Sequence, residues 1–208
     1  MTTRVLLATR NPGKVAELGR ILGGQSGLDL ELVGLADVPD FRELPETGLT
    51  FADNALAKAR YAAEVTGLPC LADDSGLCVD LLNGMPGVLS ARWCGRHGND
   101  EENLRLLLAQ LDGFPRELRG AHFACAAAAV VPGAGEAVSE GEMLGGISFE
   151  PRGAGGFGYD PIVHLVGEDR TVAELTPEEK DRLSHRGRAF RALAPRLAEL
   201  LAGPRPAR

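Results

Sequence analysis

Lysine is the scarcest charged side chain in this sequence of 208 residues. Of its 22 basic residues only three are lysines, Lys14, Lys58 and Lys180, and all the others are arginines. The abundance of Ala, Gly and Pro fits a GC-rich coding bias, under which lysine drifts to arginine. A lysine that persists then marks a position that needs a compact, strongly hydrated point charge rather than a planar fork. Aromatics are also sparse, at 5%. Leu, Val and Ala must therefore fill a core, and a hydrophobic fraction of 44% is enough to build one. No run approaches the roughly 18 apolar residues of a membrane span. The N-terminus lacks the charged-then-apolar layout of a secretory signal. These absences predict a cytoplasmic protein with no membrane partner.

The four cysteines, Cys70, Cys78, Cys94 and Cys125, form no CxxC pair. Their spacing matches neither a zinc site nor a disulfide framework, so reduced and mostly buried thiols are expected. A net charge of −7 excludes an extended basic surface for nucleic acid. It leaves room for a small phosphate ligand, because a few cations and a metal can dominate one pocket.

Several segments carry chemistry. The apolar run Arg4–Ala8 predicts a buried strand. It leads through Thr9-Arg10-Asn11-Pro12-Gly13-Lys14 into a helix over 14–22, and a strand–loop–helix of this kind offers helix-start N–H groups and an ammonium to an anion. A second strand is expected over 30–35. Thr50 and Asp53 resemble a capping box opening a helix to about Thr66, on which Asn54 and Lys58 share a face. Strands over 69–72 and 77–82 are expected to flank a turn at Asp73-Asp74-Ser75-Gly76. If that segment were extended, its two carboxylates would face opposite ways. Asp100 is expected to cap a helix through Leu111. An antiparallel pair follows over 121–131 and 137–144, then a capped helix at Thr176-Pro177-Glu178-Glu179 and a last helix from about Gly187 to Leu201. Early alternation of strands and helices with a late hairpin predicts a mixed sheet.

Three tempting motifs fail. Gly153-Ala154-Gly155-Gly156-Phe157-Gly158 matches GxGxxG, but Pro151 precedes it and Tyr159-Asp160-Pro161 follows. A dinucleotide fingerprint needs a strand before and a helix after, so no nicotinamide or flavin site is assigned. Phe157 or Tyr159 could still stack on a nucleobase, or both could be core aromatics. Ser75 and Ser184 lack the elbow of a serine hydrolase, and Ser184 fits a cap for the last helix better. Cys94 and His97 have no partner ligands for zinc.

Taken together, TRNPGK at 9–14, ETGLTFADNALAKA at 46–59, LADDSGL at 71–77, GFGYDP at 156–161 and SHR at 184–186 resemble the inosine triphosphate pyrophosphatase family, hydrolases of non-standard purine nucleoside triphosphates. The resemblance runs from Val5 to about Leu200. It implies an α/β fold with a long mixed β-sheet flanked by helices, in two lobes with a central cleft. A single domain over 1–203 is expected, with the Pro-containing 204–208 a frayed tail, and the resemblance implies a homodimer. The implied reaction is Mg2+-dependent cleavage of ITP, dITP or XTP to the monophosphate and pyrophosphate. By motif position, Thr9, Asn11, Lys14, Lys58 and Lys180 are implied triphosphate contacts. Glu46 and Asp74 are implied metal ligands, with Asp74 also the base. Ser75, Phe157, Gly158, Tyr159, Asp160, His185 and Arg186 are implied nucleoside contacts. His185 and Arg186 would offer donors that suit a 6-oxo purine better than a 6-amino one. The alternatives are a related pyrophosphatase for pyrimidine or other modified nucleotides, and a nucleotide-binding sensor without turnover.

Overall fold

The apolar run behind the N-terminus forms β1 (Thr3–Leu7), and Pro12 opens α1 (Pro12–Gly23). Proline suits that first turn, whose N–H groups lack intrahelical partners. The chain continues through β2 (Leu30–Val33), α2 (Phe51–Thr66), β3 (Cys70–Val79), α3 (Asp100–Gln110), β4 (Gly120–Val131), β5 (Gly135–Ile147), β6 (Val163–Leu165), α4 (Pro177–Leu183) and α5 (His185–Ala202). This computed structural model describes residues 2–23, 29–42 and 44–203, so the expected tail at 204–208 lies outside the described residues. One six-stranded sheet has the order β2-β1-β3-β4-β5-β6. β1 is parallel to β2 and β3, whereas β6 is antiparallel to β5. β4 and β5 are neighbours joined through a turn at 132–134, a connection so short that the second strand must return antiparallel. The sheet is mixed, as expected.

Two sequence expectations need correction. The segment Asp73-Asp74-Ser75-Gly76 is not a turn between two strands. It lies inside the continuous strand β3, every residue of which is buried except the half-buried Ser75. Asp, Ser and Gly favour turns where the chain is solvated, but here cations distant in sequence receive both carboxylates. The cap of α3 is Asn99, whose side chain accepts from the Glu102 N–H, rather than Asp100, the first helical residue.

The chain divides into two compact units: residues 1–74, 125–141 and 186–208, and residues 75–124 and 142–185. In the first unit the strand pleat sorts the core into two layers. Val5, Leu7, Leu71, Cys125 and Ala127 pack against Leu18 and Ile21 of α1 and Phe190 and Leu193 of α5. The intervening residues Leu6 and Cys70 meet Ala62 and Ala63 of α2, while Ala72, Ala126 and Ala128 meet Ala55 and Ala59 of the same helix. The sheet of this unit is thus flanked by helices on both faces, and the small alanines allow α2 to approach closely. In the second unit, Leu104, Leu107 and Leu111 of α3 pack with Leu77, Val79, Phe123, Met143 and Ile147. Among the described residues no helix is long and apolar enough to cross a membrane. Cys70, Cys78 and Cys125 are buried free thiols, and burial pushes those of Cys70 and Cys78 up to about 11.

Candidate active site

Alternation along β3 decides the site of the first unit. Asp73 continues the series of Leu71 toward α1 and α5, and Asp74 continues the series of Ala72 toward α2. The start of α2 is fixed by its capping box. Thr50 Oγ1 accepts from the Asp53 N–H at 3.1 Å, and Asp53 Oδ2 accepts from the Thr50 N–H at 3.2 Å. One turn apart on this helix, Asn54 and Lys58 reach the same carboxylate. Asn54 Nδ2 donates to Asp74 Oδ2 at 2.9 Å, and Lys58 Nζ to Asp74 Oδ1 at 3.2 Å. The same ammonium donates to Glu46 Oε1 at 2.7 Å.

Burial and the neighbouring Glu46 raise the Asp74 pKa above the ordinary carboxylate value, against the opposing pull of Lys58. Burial would lower the Lys58 pKa, but Asp74, Glu46 and Asp73 together raise it. Two acids thus share one cation. Among the described residues no group of three His, Cys, Asp or Glu is arranged to hold a metal. Magnesium does not require one, since it usually takes one or two carboxylates and completes its shell with water and substrate phosphate. The ammonium lodged between Glu46 and Asp74 marks where a cation is favoured, and the donor set fits a hard divalent ion.

Asp73 has the opposite surroundings. Its Oδ2 accepts from Lys14 Nζ at 2.9 Å and from Arg186 Nε at 3.2 Å. Arg186 Nη1 in turn donates to the buried Glu17 at 2.7 Å. Burial would raise the Asp73 pKa, but Lys14, Arg186 and Lys58 outweigh it and hold the group well below the usual range. The Arg186 side chain is only 1% exposed. Its charge is kept by Asp73 and Glu17 against the penalty of burial.

The loop before α1 completes this unit's group. Asn11 Oδ1 accepts from the Gly13 and Lys14 N–H groups at 2.9 and 3.2 Å, so the helix start expected to face an anion is capped by Asn11 here. The Asn11 N–H donates to Thr9 Oγ1 at 3.3 Å. Arg10 Nη2 donates to Asp40 at 3.0 Å, away from these contacts.

The second unit gathers the remaining candidates. Asp160 Oδ2 accepts from the Phe157 N–H at 2.9 Å and from Lys180 Nζ. The Lys180 ammonium also lies 4.6 Å from the centroid of the Phe157 ring, a cation–π arrangement. Gly156 makes this possible: it has φ +73°, and a Cβ there would collide with the Asp160 carboxylate. The Gly158 N–H donates to Asp100 Oδ2 at 2.9 Å. Tyr159 is 5% exposed and packs in the core, and its hydroxyl donates to the Ser90 carbonyl at 2.9 Å. Its ring therefore supports the loop, whereas the half-buried Phe157 presents the aromatic surface. His185 is buried and stacks on Phe123, with ring centroids 4.9 Å apart. Ser184 ends α4 by donating its N–H to the Lys180 carbonyl at 2.8 Å. Ser75 is half-buried within β3.

The first unit therefore gathers two groups, Lys14 and Arg186 around Asp73 and Glu46 and Lys58 around Asp74, and the second gathers Phe157 and Lys180 around Asp160. Sequence reasoning missed Glu17, which reads as a solvated helix residue. Its one signal is its position beside Leu18 and Ile21, on the apolar side of α1.

Comparison with known proteins converges on one group. The Ham1 family model matches residues 5–196. A dITP/XTP pyrophosphatase of Streptomyces coelicolor is 59% identical over 96% of this chain and 99% of its own length. One from Nocardia farcinica is 60% identical over 95% and 96%. The crystal structure of the nucleoside-triphosphatase, or dITP/XTP pyrophosphatase, from Mycobacterium abscessus has a TM-score of 0.74 at 59% identity, covering 93% of this chain and all of its own. The Ham1 protein of Staphylococcus aureus superposes with a TM-score of 0.82 at 36% identity, covering 95% of this chain and 99% of its own. Because the match extends over nearly the whole sequence and the fold agrees with it, the chain belongs to the Ham1 family.

Proposed function

We propose that this protein hydrolyses non-standard purine nucleoside triphosphates (ITP, dITP and XTP) to the monophosphate and pyrophosphate, removing deaminated purines from the nucleotide pool. The observation that carries this reading is the Lys58 ammonium between Glu46 and Asp74, a cation-seeking pair of acids in which one member has a raised pKa. The names of the relatives support the substrate class.

In this mechanism a water attacks the α-phosphorus. The new bond is between the water oxygen and phosphorus, the bond to the bridging oxygen of the leaving pyrophosphate breaks, and the proton passes to Asp74. Asn54 and Lys58 keep its two oxygens oriented. Glu46 and Asp74 would hold Mg2+, which when bound neutralises phosphate charge and lowers the pKa of a coordinated water. Thr9, Asn11, Lys14, Lys58 and Lys180 receive the triphosphate, and the ammonium groups stabilise charge growing on the leaving group. The nucleoside falls to Ser75, Phe157, Gly158, Asp160, His185 and Arg186, with Phe157 as the stacking surface and the buried Tyr159 supporting that loop instead of touching the base. Arg186 carries a second duty, since its guanidinium also anchors Asp73. The cytoplasmic location rests on the sequence expectation, and the homodimer rests on the family resemblance.

The test is pyrophosphate release, with and without Mg2+, across inosine, xanthosine, guanosine, adenosine and thymidine triphosphates. Mg2+-dependent release chiefly from the first two is expected. Binding without release would indicate a sensor, and release chiefly from thymidine triphosphate would overturn the purine assignment.

A further inference from the structure

Asn54 is a buried amide whose two ends are committed to different parts of the first unit. Its Oδ1 accepts from the Gly48 N–H at 2.7 Å, and its Nδ2 donates to Asp74 Oδ2 at 2.9 Å. The chemistry of the partners fixes the orientation of the amide, because a backbone N–H only donates and a carboxylate only accepts. Gly48 lies two residues after Glu46 on the same loop. That loop approaches closely: a Cβ on Gly48 would lie 2.6 Å from Asn54 Oδ1 and 2.7 Å from Asp53 Cβ. The capping box of α2 holds Asn54 itself in place.

We propose that Asn54 is the positioning residue of the acidic pair: it ties the loop that carries Glu46 to the carboxylate of Asp74, so that the two acids are presented together to a divalent cation. This rests on the reading of Glu46 and Asp74 as metal ligands. In this reading Asn54 is not itself a ligand, since both ends of its amide are engaged by Gly48 and Asp74. It acts by holding one oxygen of Asp74 and the backbone near Glu46, leaving the other Asp74 oxygen toward Lys58. Hydrogen-bonded partners of this kind, one step out from a metal ligand, are worth about 10–100-fold in affinity or activity. Gly48 is part of the same device, because any side chain there displaces the amide.

The experiment measures Mn2+ affinity of the whole protein by electron paramagnetic resonance, alongside kcat and KM for deoxyinosine triphosphate, in Asn54→Ala, Gly48→Ala and the double variant. Melting curves select conditions under which each is folded. Asn54→Ala is expected to weaken Mn2+ binding and lower kcat by about 10–100-fold, with a much smaller change in KM. Gly48→Ala should do the same in kind, and the double variant should be no worse than the more impaired single one, because both break one tie. Unchanged Mn2+ affinity in folded Asn54→Ala overturns the proposal, as do additive losses in the double variant. If Asn54→Ala does not fold, Gly48→Ala decides by the same two readouts. Absence of pyrophosphate release from the wild type would defeat the enzymatic reading alone, and the Mn2+ affinities would still decide the role of Asn54.

Discussion

Asp73 and Asp74 are neighbours in one strand, identical in chemistry and both buried, yet they answer to opposite surroundings. Asp73 meets two cations directly, Lys14 and Arg186, and its pKa is driven down. Asp74 shares a single ammonium with another acid, Glu46, and its pKa is driven up. The difference comes from the pleat of β3, which sends one carboxylate toward α1 and α5 and the other toward α2. A strand can therefore place side by side a carboxylate whose charge is favoured and one whose charge is disfavoured. Burial disfavours charge in both, and the number of partner cations decides the outcome.

The largest expected effect lies on the anchored face. Arg186→Ala leaves Glu17 and Asp73 buried without their shared cation, and should cost about 3–5 kcal/mol of stability. Urea unfolding monitored by far-UV circular dichroism measures it. A loss below 1 kcal/mol would mean that the Asp73 face is not an anchor. A smaller effect sharpens the other face. Thr50→Ala removes the cap that starts the helix bearing Asn54 and Lys58, and should cost about 1 kcal/mol. Activity in the folded protein should fall only modestly, because both side chains lie within the helix rather than at its first residue.

Much of this arrangement was legible in the sequence. The capping boxes at Thr50 and Thr176 are local signals, and both helices begin where those signals stand. The three lysines were legible as a group, and each one meets an acid: Lys14 with Asp73, Lys58 with Glu46 and Asp74, Lys180 with Asp160. The strand through Asp73-Asp74-Ser75-Gly76 was not legible as one element. Its residues carry turn propensities, and the groups that allow burial, Lys14 and Arg186, lie 59 and 113 residues away along the chain. Contacts of that separation leave no local pattern. Tyr159 was ambiguous for a related reason: only its bond to Ser90, 69 residues distant, shows that its ring supports the core.

The most direct test of the division of labour is turnover per folded molecule, read as pyrophosphate release from deoxyinosine triphosphate, in Asp74→Asn and Asp73→Asn side by side. Asp74→Asn removes the proton acceptor and should lower kcat by roughly 100-fold or more while the nucleotide still binds. Asp73→Asn should lose stability first, and its folded fraction should retain far more turnover than Asp74→Asn. Equal losses of turnover in the two variants, or near-normal turnover in Asp74→Asn, would contradict the account.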